Sequence, residues 1–397
     1  MGPIILFDKS ALQALSLNES VWLDHFFLSV IAPLFFVETL ADLEKEVPGR
    51  TPEEEVQRIA AKTPETGSYP NVFHLQLCLQ NLLGFSVPME GRIMLAGGVP
   101  VRHQNRSGFR FDIAPEVMAL QRWQAGQFLA VERQFAKRWR SSLGALNFHG
   151  VIQRLRELGV VPGKCRDLEE AKAMADTIVH QEGQPFERLA LVFALLGLPR
   201  TLFVRVFDRY RMAGYPALAT FAPYTACVLT IEVFFYIAAY KSFIARERVS
   251  NKVDIAYLCY LPFCMIFTSS DKLHRRCAPL FLRKDQEFIW GADLKEGLKK
   301  IDQHFDQLPD FEKEKGLNVI APHPPKEGDF LVSRLWDRHL RPWRSHPDIP
   351  LSADQETRLI QEVREFNEAR PMREEEVDFD SSDPDAVALQ RRIQRFY

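Results

Sequence analysis

Four apolar residues, Ile4, Ile5, Leu6 and Phe7, run straight into Asp8, Lys9 and Ser10. A short apolar run that stops on an acid predicts a buried strand whose carboxyl end presents Asp8. Trp22, Phe26 and Ser29/Val30 then recur at helical spacing and predict a helix over 20–30. The continuous apolar run 33–37 (PLFFV) predicts a second strand. Residues 38–46 (ETLADLEKE) predict a helix that Pro48-Gly49 ends. Strand, helix, strand, helix is the opening of an α/β fold.

From about residue 48 to 225 the periodicity turns mainly helical. Thr51-Pro52-Glu53-Glu54-Glu55 makes a good helix start. Pro115 to Trp139 has the pattern of one long helix, and Leu168–Gln181 and Phe186–Leu196 predict two more. Residues 97–112 have the pattern of a loop or hairpin. The run Thr220 to Tyr240 is nearly long enough to span a membrane. It carries Pro223 and Glu232, so a buried core helix is expected and no membrane association. Ser250-Asn251 caps a helix over 252–261. Residues 263–268 (FCMIFT) form a strand candidate followed by the turn Ser269-Ser270-Asp271. A strand-like stretch within 281–290 and a helix over 293–305 follow. Beyond about 311 the chain is polar and Pro-rich. Its acidic tail (Glu374, Glu375, Glu376, Asp378, Asp380, Asp383, Asp385) precedes the basic Arg391, Arg392 and Arg395. That tail suits a partner-bound segment.

The 397 residues suffice for two or three domains, and 46% hydrophobic against 26% charged predicts a sizeable core. A net charge of -2 confines any basic nucleic-acid footprint to local patches. Six cysteines form no CxxC pair and no metal-ligand spacing, which suits reduced thiols in a cytoplasmic protein.

The candidate chemistry is acidic. Asp8, Glu38, Asp254 and Asp271 each stand at an element end beside an apolar run. In open α/β sheets ligands bind beyond the carboxyl ends of the strands. Carboxylates delivered there by separate elements suit Mg²⁺, a hard cation that takes oxygen ligands and pairs with phosphates. Each acid alone also fits a plainer role. Asp8 and Asp271 suit strand-end turns, and Asp254 suits the positive end of a helix. Glu38 competes with Asp42, one turn on, as the second acid. Glu232, inside an apolar run, needs a partner that the sequence does not name.

These stretches resemble PIN-domain nucleases. Residues 4–10 (IILFDKS) are similar to that family's first strand, its Asp and the hydroxyl residue two positions on. Residues 33–40 (PLFFVETL) resemble its second strand and acid, residues 252–258 (KVDIAYL) its third acid at a helix start, and residues 265–273 (MIFTSSDKL) its closing strand, hydroxyl and acid. The resemblance covers 1–47 and 226–305, about a third of the chain. It implies a PIN-like three-layer α/β/α core with a central parallel sheet, formed by 1–47 and 226–310. It leaves 48–225 as a large mainly helical insertion and 311–397 as a polar extension. It implies a metal-dependent endoribonuclease in which Asp8, Glu38, Asp254 and Asp271 hold Mg²⁺ or Mn²⁺ and polarise water, with Ser10 supporting Asp8. The insertion departs from the small members of the family.

Lys9, Lys272, Arg275 and Arg276 flank the acids and suit contacts to the phosphates of single-stranded or structured RNA. Two further basic clusters lie within 48–225: Arg133, Lys137, Arg138 and Arg140, and Arg102, His103, Arg106 and Arg110. His25, His74, His149 and His180 read as structural. A phosphatase using Asp8 as nucleophile is disfavoured, because Ser10 stands where such enzymes usually carry a second Asp. A catalytically inactive PIN-like scaffold that binds a protein or nucleic-acid partner is the alternative.

Overall fold

The computed structural model describes residues 2–46, 48–65, 68–95, 97–104, 106–144, 153, 156, 165–180, 185–246, 248, 250–340, 342–345, 352–378 and 387–390. A parallel sheet lies at the centre. Strand β1 (Ile4–Phe7) pairs on one side with β2 (Leu28–Ile31) and on the other with β6 (Ile266–Ser269). Beyond β6 lies β7 (Glu287–Trp290), and beyond β2 the three-residue edge strand β3 (Ser68–Pro70). A separate hairpin, β4 (Val99–His103) and β5 (Arg106–Phe111), pairs through β5 with β8 (Val387–Gln390).

The sheet divides two cores. Leu6, Val30 and Phe267 face one, and Ile5, Phe7, Ile31 and Ile266 face the other. That alternation is the period-2 signature of strands buried on both faces. The first face is covered by the helices His74–Leu83, Leu168–His180, Pro185–Leu196 and Pro223–Tyr240. The second is covered by α1 (Lys9–Ala14), α2 (Leu17–Phe26), α3 (Pro33–Ala41), and the helices Pro52–Lys62, Gly291–Asp306 and Leu331–His339. Helices of the 48–225 stretch thus pack directly on the sheet, and Ser68–Pro70 forms its edge strand. Part of the polar extension beyond 311 also enters the core through Val332, Leu335 and Trp336, and the Trp336 indole donates to the Phe26 carbonyl at 3.0 Å.

Several elements differ from the sequence pattern for physical reasons. Residues 33–37 are the start of α3 and not a strand. Pro33 occupies its first turn, where a missing N–H costs nothing, and a short apolar run cannot by itself separate strand from buried helix. The second strand is instead Leu28–Ile31, which the helical spacing of 20–30 had absorbed. The expected long helix 115–139 is broken into Pro115–Gln124 and Ala130–Gly144, with Gly126 at φ +71° in the break. Pro223–Tyr240 is apolar enough to cross a membrane, yet 78% of it is buried within the protein. It is a core helix, as its Pro and Glu had suggested. All six cysteines are free. Asp380, Asp383, Asp385, Arg391, Arg392, Arg395 and His149 lie outside the described residues.

Candidate active site

The register of β1 against β6 sets Phe7 beside Thr268, so Asp8 leaves the sheet abreast of Ser269. Asp8 is 4% exposed and caps α1, accepting the Ala11 N–H at 2.9 Å. The Ser10 hydroxyl bonds its carboxylate at 2.7 Å, and the Ser269 hydroxyl at 2.8 Å. The completely buried His274 brings Nδ1 to 3.2 Å from Asp8 Oδ2 and 2.8 Å from Ser269 Oγ. Its Nε2 donates to the Asp254 carbonyl at 2.5 Å. Burial works to raise the Asp8 pKa, but the hydrogen bond and charge of His274, with Ser10 and the Ala11 N–H, hold it below the ordinary value of 3.8. For His274 burial works the other way, and is overcome by the Asp8 hydrogen bond and charge and by Asp254, which push it up to about 9.

The other three acids lie across from this clamp. Glu38 is carried by α3, and its carboxylate accepts the Tyr257 hydroxyl at 2.5 Å. Its pKa is raised, by burial first and by the Asp8 charge, against the opposing pull of Lys9 and Tyr257. Asp254 lies within the helix Ser250–Ala256. Burial pushes its pKa up to about 7, and the charges of Glu38, Asp271 and Asp8 add to that rise while His274 opposes it. Asp271 caps the helix Lys272–Cys277, accepting the Leu273 N–H at 2.6 Å, while its own N–H donates to Ser269 Oγ at 2.9 Å. The four sequence-selected acids therefore share one electrostatic neighbourhood at the carboxyl end of the sheet.

Ser10 supports Asp8 as expected, and also accepts the Ser270 N–H at 3.0 Å. Of Glu38 and Asp42, Glu38 is the one whose charge acts on Asp254. Asp42 is buried and neutralised by Lys9 at 3.0 Å, with Arg140 at 3.8 Å. That pair also relocates Lys9. Its ammonium turns inward to Asp42 and the Glu38 carbonyl, so it braces α3 against α1 and is not placed to meet a phosphate. Lys272, Arg275 and Arg276 are exposed, and Arg275 lies 4.9 Å over the Trp290 ring. Glu232 pairs with Lys252, and Lys252 also faces the rings of Phe235 and Tyr236. In the two basic clusters of 48–225, Arg102, Arg106 and Arg133 pair with Asp378, Glu362 and Glu53, and Arg110 donates to the Asn367 and Ala369 carbonyls.

His274 and Tyr257 were not picked out in the sequence, and Ser269 entered only as part of the hydroxyl-bearing turn before Asp271. A signal existed for two of them. Tyr257 stands three residues after Asp254 and His274 three after Asp271, the spacing that puts side chains on one helical face.

A divalent cation suits this donor set on one ground. Burial raises the pKa of Glu38 and Asp254 because the chain's own donors do not offset the cost of ionising them, and a cation would stabilise their ionised forms. Among the described residues, no three His, Cys, Asp or Glu side chains are drawn tightly enough to grip an ion by themselves. A cation that keeps several of its waters does not require such a grip. No known protein family, curated protein or solved structure matches the chain.

Proposed function

We propose that the chain is a PIN-like, metal-dependent endoribonuclease. The observation that carries this reading is the linkage of the acids at one end of the sheet: Ser269 bonds both the Asp8 carboxylate and the Asp271 N–H, and His274 bridges Asp8 and the Asp254 carbonyl; the electrostatic coupling of Asp254 to Glu38, Asp271 and Asp8 agrees with it. Such a convergence of carboxylates, two following strands and two carried by helices, costs stability, and divalent-cation chemistry gives it a purpose. The strand order β3-β2-β1-β6-β7, with helices on both faces, is compatible with the PIN-like core. Mg²⁺ or Mn²⁺ would be held by residues from the set Asp8, Glu38, Asp254 and Asp271, and would supply an activated water for attack on a phosphodiester. Asp8, through Ser10, Ser269 and His274, fixes the turn that carries Asp271. Tyr257 orients Glu38. Lys272, Arg275 and Arg276 offer an exposed basic rim for RNA phosphates, and the Arg275–Trp290 pair offers a flat surface for an unpaired base.

The test is cleavage of a labelled single-stranded RNA by the full chain with Mn²⁺ and with chelator. Asp254→Asn is expected to lower the rate by at least about a hundredfold, as loss of a transition-state contact does. Equal rates in wild type and variant, or equal rates with and without chelator, would remove the proposal. A single-stranded DNA of the same sequence serves as the second substrate. The alternative scaffold reading gains from retained RNA binding with no cleavage.

A further inference from the structure

The hairpin β4–β5 stands apart from both cores. In its register Val99 opposes Arg110, Val101 opposes Gly108 and His103 opposes Arg106, so these residues share one face. The chain beyond residue 352 covers that face. The helix Ala353–Glu368 lies against it and brings Glu362 to Arg106 and Glu365 to within 3.2 Å of His103. Arg110 donates to the Asn367 and Ala369 carbonyls at 2.6 and 3.2 Å. Arg102, opposed to Ser107, points to the other face and meets Asp378 at 2.5 Å. The same stretch also closes the edge of β4, where the Met372 N–H donates to the Pro100 carbonyl at 2.9 Å. Every member of the basic cluster Arg102, His103, Arg106 and Arg110 is thus met by an oxygen from residues 362–378.

This cover is thinly held. Among the described side chains of its helix only Phe366 is buried, and with Ala369 and Val101 it forms a small core separate from the two that flank the sheet. Leu359, Ile360 and Val363 stay exposed. A cavity of about 310 Å³ lies between helix and hairpin, lined by His103, Gln104, Arg106, Glu362, Glu365 and Phe366, where a settled interior would be close-packed. The Arg102–Asp378 and Arg106–Glu362 pairs are exposed, and such pairs contribute little because water and salt screen them. A guanidinium fork accepts a phosphate as readily as a carboxylate. The cover therefore meets the basic cluster as a nucleic-acid backbone would, and little holds it in place.

We propose that the hairpin β4–β5 is a second RNA-binding surface, and that residues 353–378 are its internal competitor, which a bound strand displaces. The choice of RNA as partner rests on the reading of the preceding section. Phosphates of the strand take the places of Glu362, Glu365, Asp378 and the Asn367 and Ala369 carbonyls. An anionic membrane would meet the same charges, but it is flat, and the cluster is divided between the two faces of the hairpin. A flexible single strand can follow both. The segment also sets the selectivity of the surface, since a ligand binds only if it outcompetes carboxylates already in place.

The experiment is hydrogen exchange of the full wild-type chain with and without a saturating single-stranded RNA, in chelator so that binding is read without cleavage. Exchange across 353–378 is expected to quicken on binding while the central sheet stays protected. Affinity is then read by fluorescence anisotropy in a cycle of Arg102→Gln/Arg106→Gln, Glu362→Gln/Asp378→Asn and all four together. Neutralising the two acids is expected to tighten RNA binding about tenfold. Removing the two arginines is expected to cost about tenfold more in that background than in wild type, where the segment already occupies them. A mere change of net charge would make the two effects additive. Additive effects, or unchanged exchange of 353–378 with RNA bound, would overturn the inference and leave the nuclease reading to the cleavage assay. No RNA binding by wild type and by the acid-neutralised variant alike would overturn it too. Displacement of the segment by an RNA that Mn²⁺ does not cause to be cut would uphold the inference and remove the nuclease reading. Phosphatidylserine vesicles that release the segment where RNA does not would overturn the choice of partner.

Discussion

Asp8 and Asp254 belong to one cluster and carry opposite electrostatics. Donors wrap Asp8, so it stays ionised in a buried place. Asp254 is half-buried against three other acids and holds its proton to about pH 7, far above the ordinary 3.8. Its folded pKa exceeds the unfolded one, so the folded state binds the extra proton. Stability from this source is present below about pH 4 and is lost as pH rises through about 7. His274 has the same sign, shifted from 6.5 to about 9, and loses its contribution as pH rises through that window. The melting temperature without divalent cation is therefore expected to fall from about pH 5 to about pH 9. Mn²⁺ favours ionised Asp254, so its stabilising shift is expected to be larger at about pH 8 than at about pH 5. Scanning calorimetry checks both, and a flat profile across that range contradicts the electrostatic account. The acids were noticed in the sequence because each stands beside apolar residues, but only Asp8 and Asp271 stand at element ends as expected; Glu38 and Asp254 lie inside helices. Their compensation was not. Whether Lys9 meets a phosphate or Asp42 depends on a separation of 33 residues that only folding closes.

At the scale of elements, α3 decides where Glu38 stands. A strand over 33–37 would have put Glu38 at its tip. As the sixth residue of a helix, Glu38 is aimed by the face that Leu34, Phe35 and Phe36 bury. Phe35 is fully buried and meets Phe7 edge to face at 5.4 Å, which links α3 to the strand that carries Asp8. Phe35→Ala is expected to cost about 3–5 kcal/mol of stability, read from urea denaturation. In protein still folded at low temperature it should weaken Mn²⁺ binding, because Glu38 loses its support. A loss below about 1 kcal/mol would mean that α3 is held by other contacts. The strands β1 and β6 were legible for the reason that 33–37 was not. Both are short apolar runs closed by a polar turn, whereas 33–37 follows the largely apolar residues 26–32 with no polar turn between them. The hairpin β4–β5 was recognisable only as a loop or hairpin, since its turn at Gln104 has none of the glycine pairs that mark the tightest hairpins.

For the whole molecule, the sequence separates 1–47 from 226–310 and space reunites them. Strands β1 and β6 are neighbours in the sheet although about 260 residues lie between them. The segment 48–225 is long in sequence, but its helices His74–Leu83 and Leu168–His180 pack on Pro223–Tyr240 and share the core beneath Leu6, Val30 and Phe267. Helical periodicity showed that these helices exist and gave no sign of what they cover. Replacing 48–225 by a short linker is therefore expected to give a chain with no cooperative thermal transition, because one face of the sheet would be exposed. A cooperative transition in that shortened chain, followed by circular dichroism, would show that the sheet does not need this segment. The central claim is narrower than the fold. It is the proposal that acids from four separate elements, brought to one end of a parallel sheet, make a place for a divalent cation. Anomalous scattering from crystals soaked in Mn²⁺ tests it directly. The account predicts a peak among the carboxylates of Asp8, Glu38, Asp254 and Asp271, absent in Asp254→Asn. A map with no peak there, or a peak that persists unchanged in the variant, contradicts it.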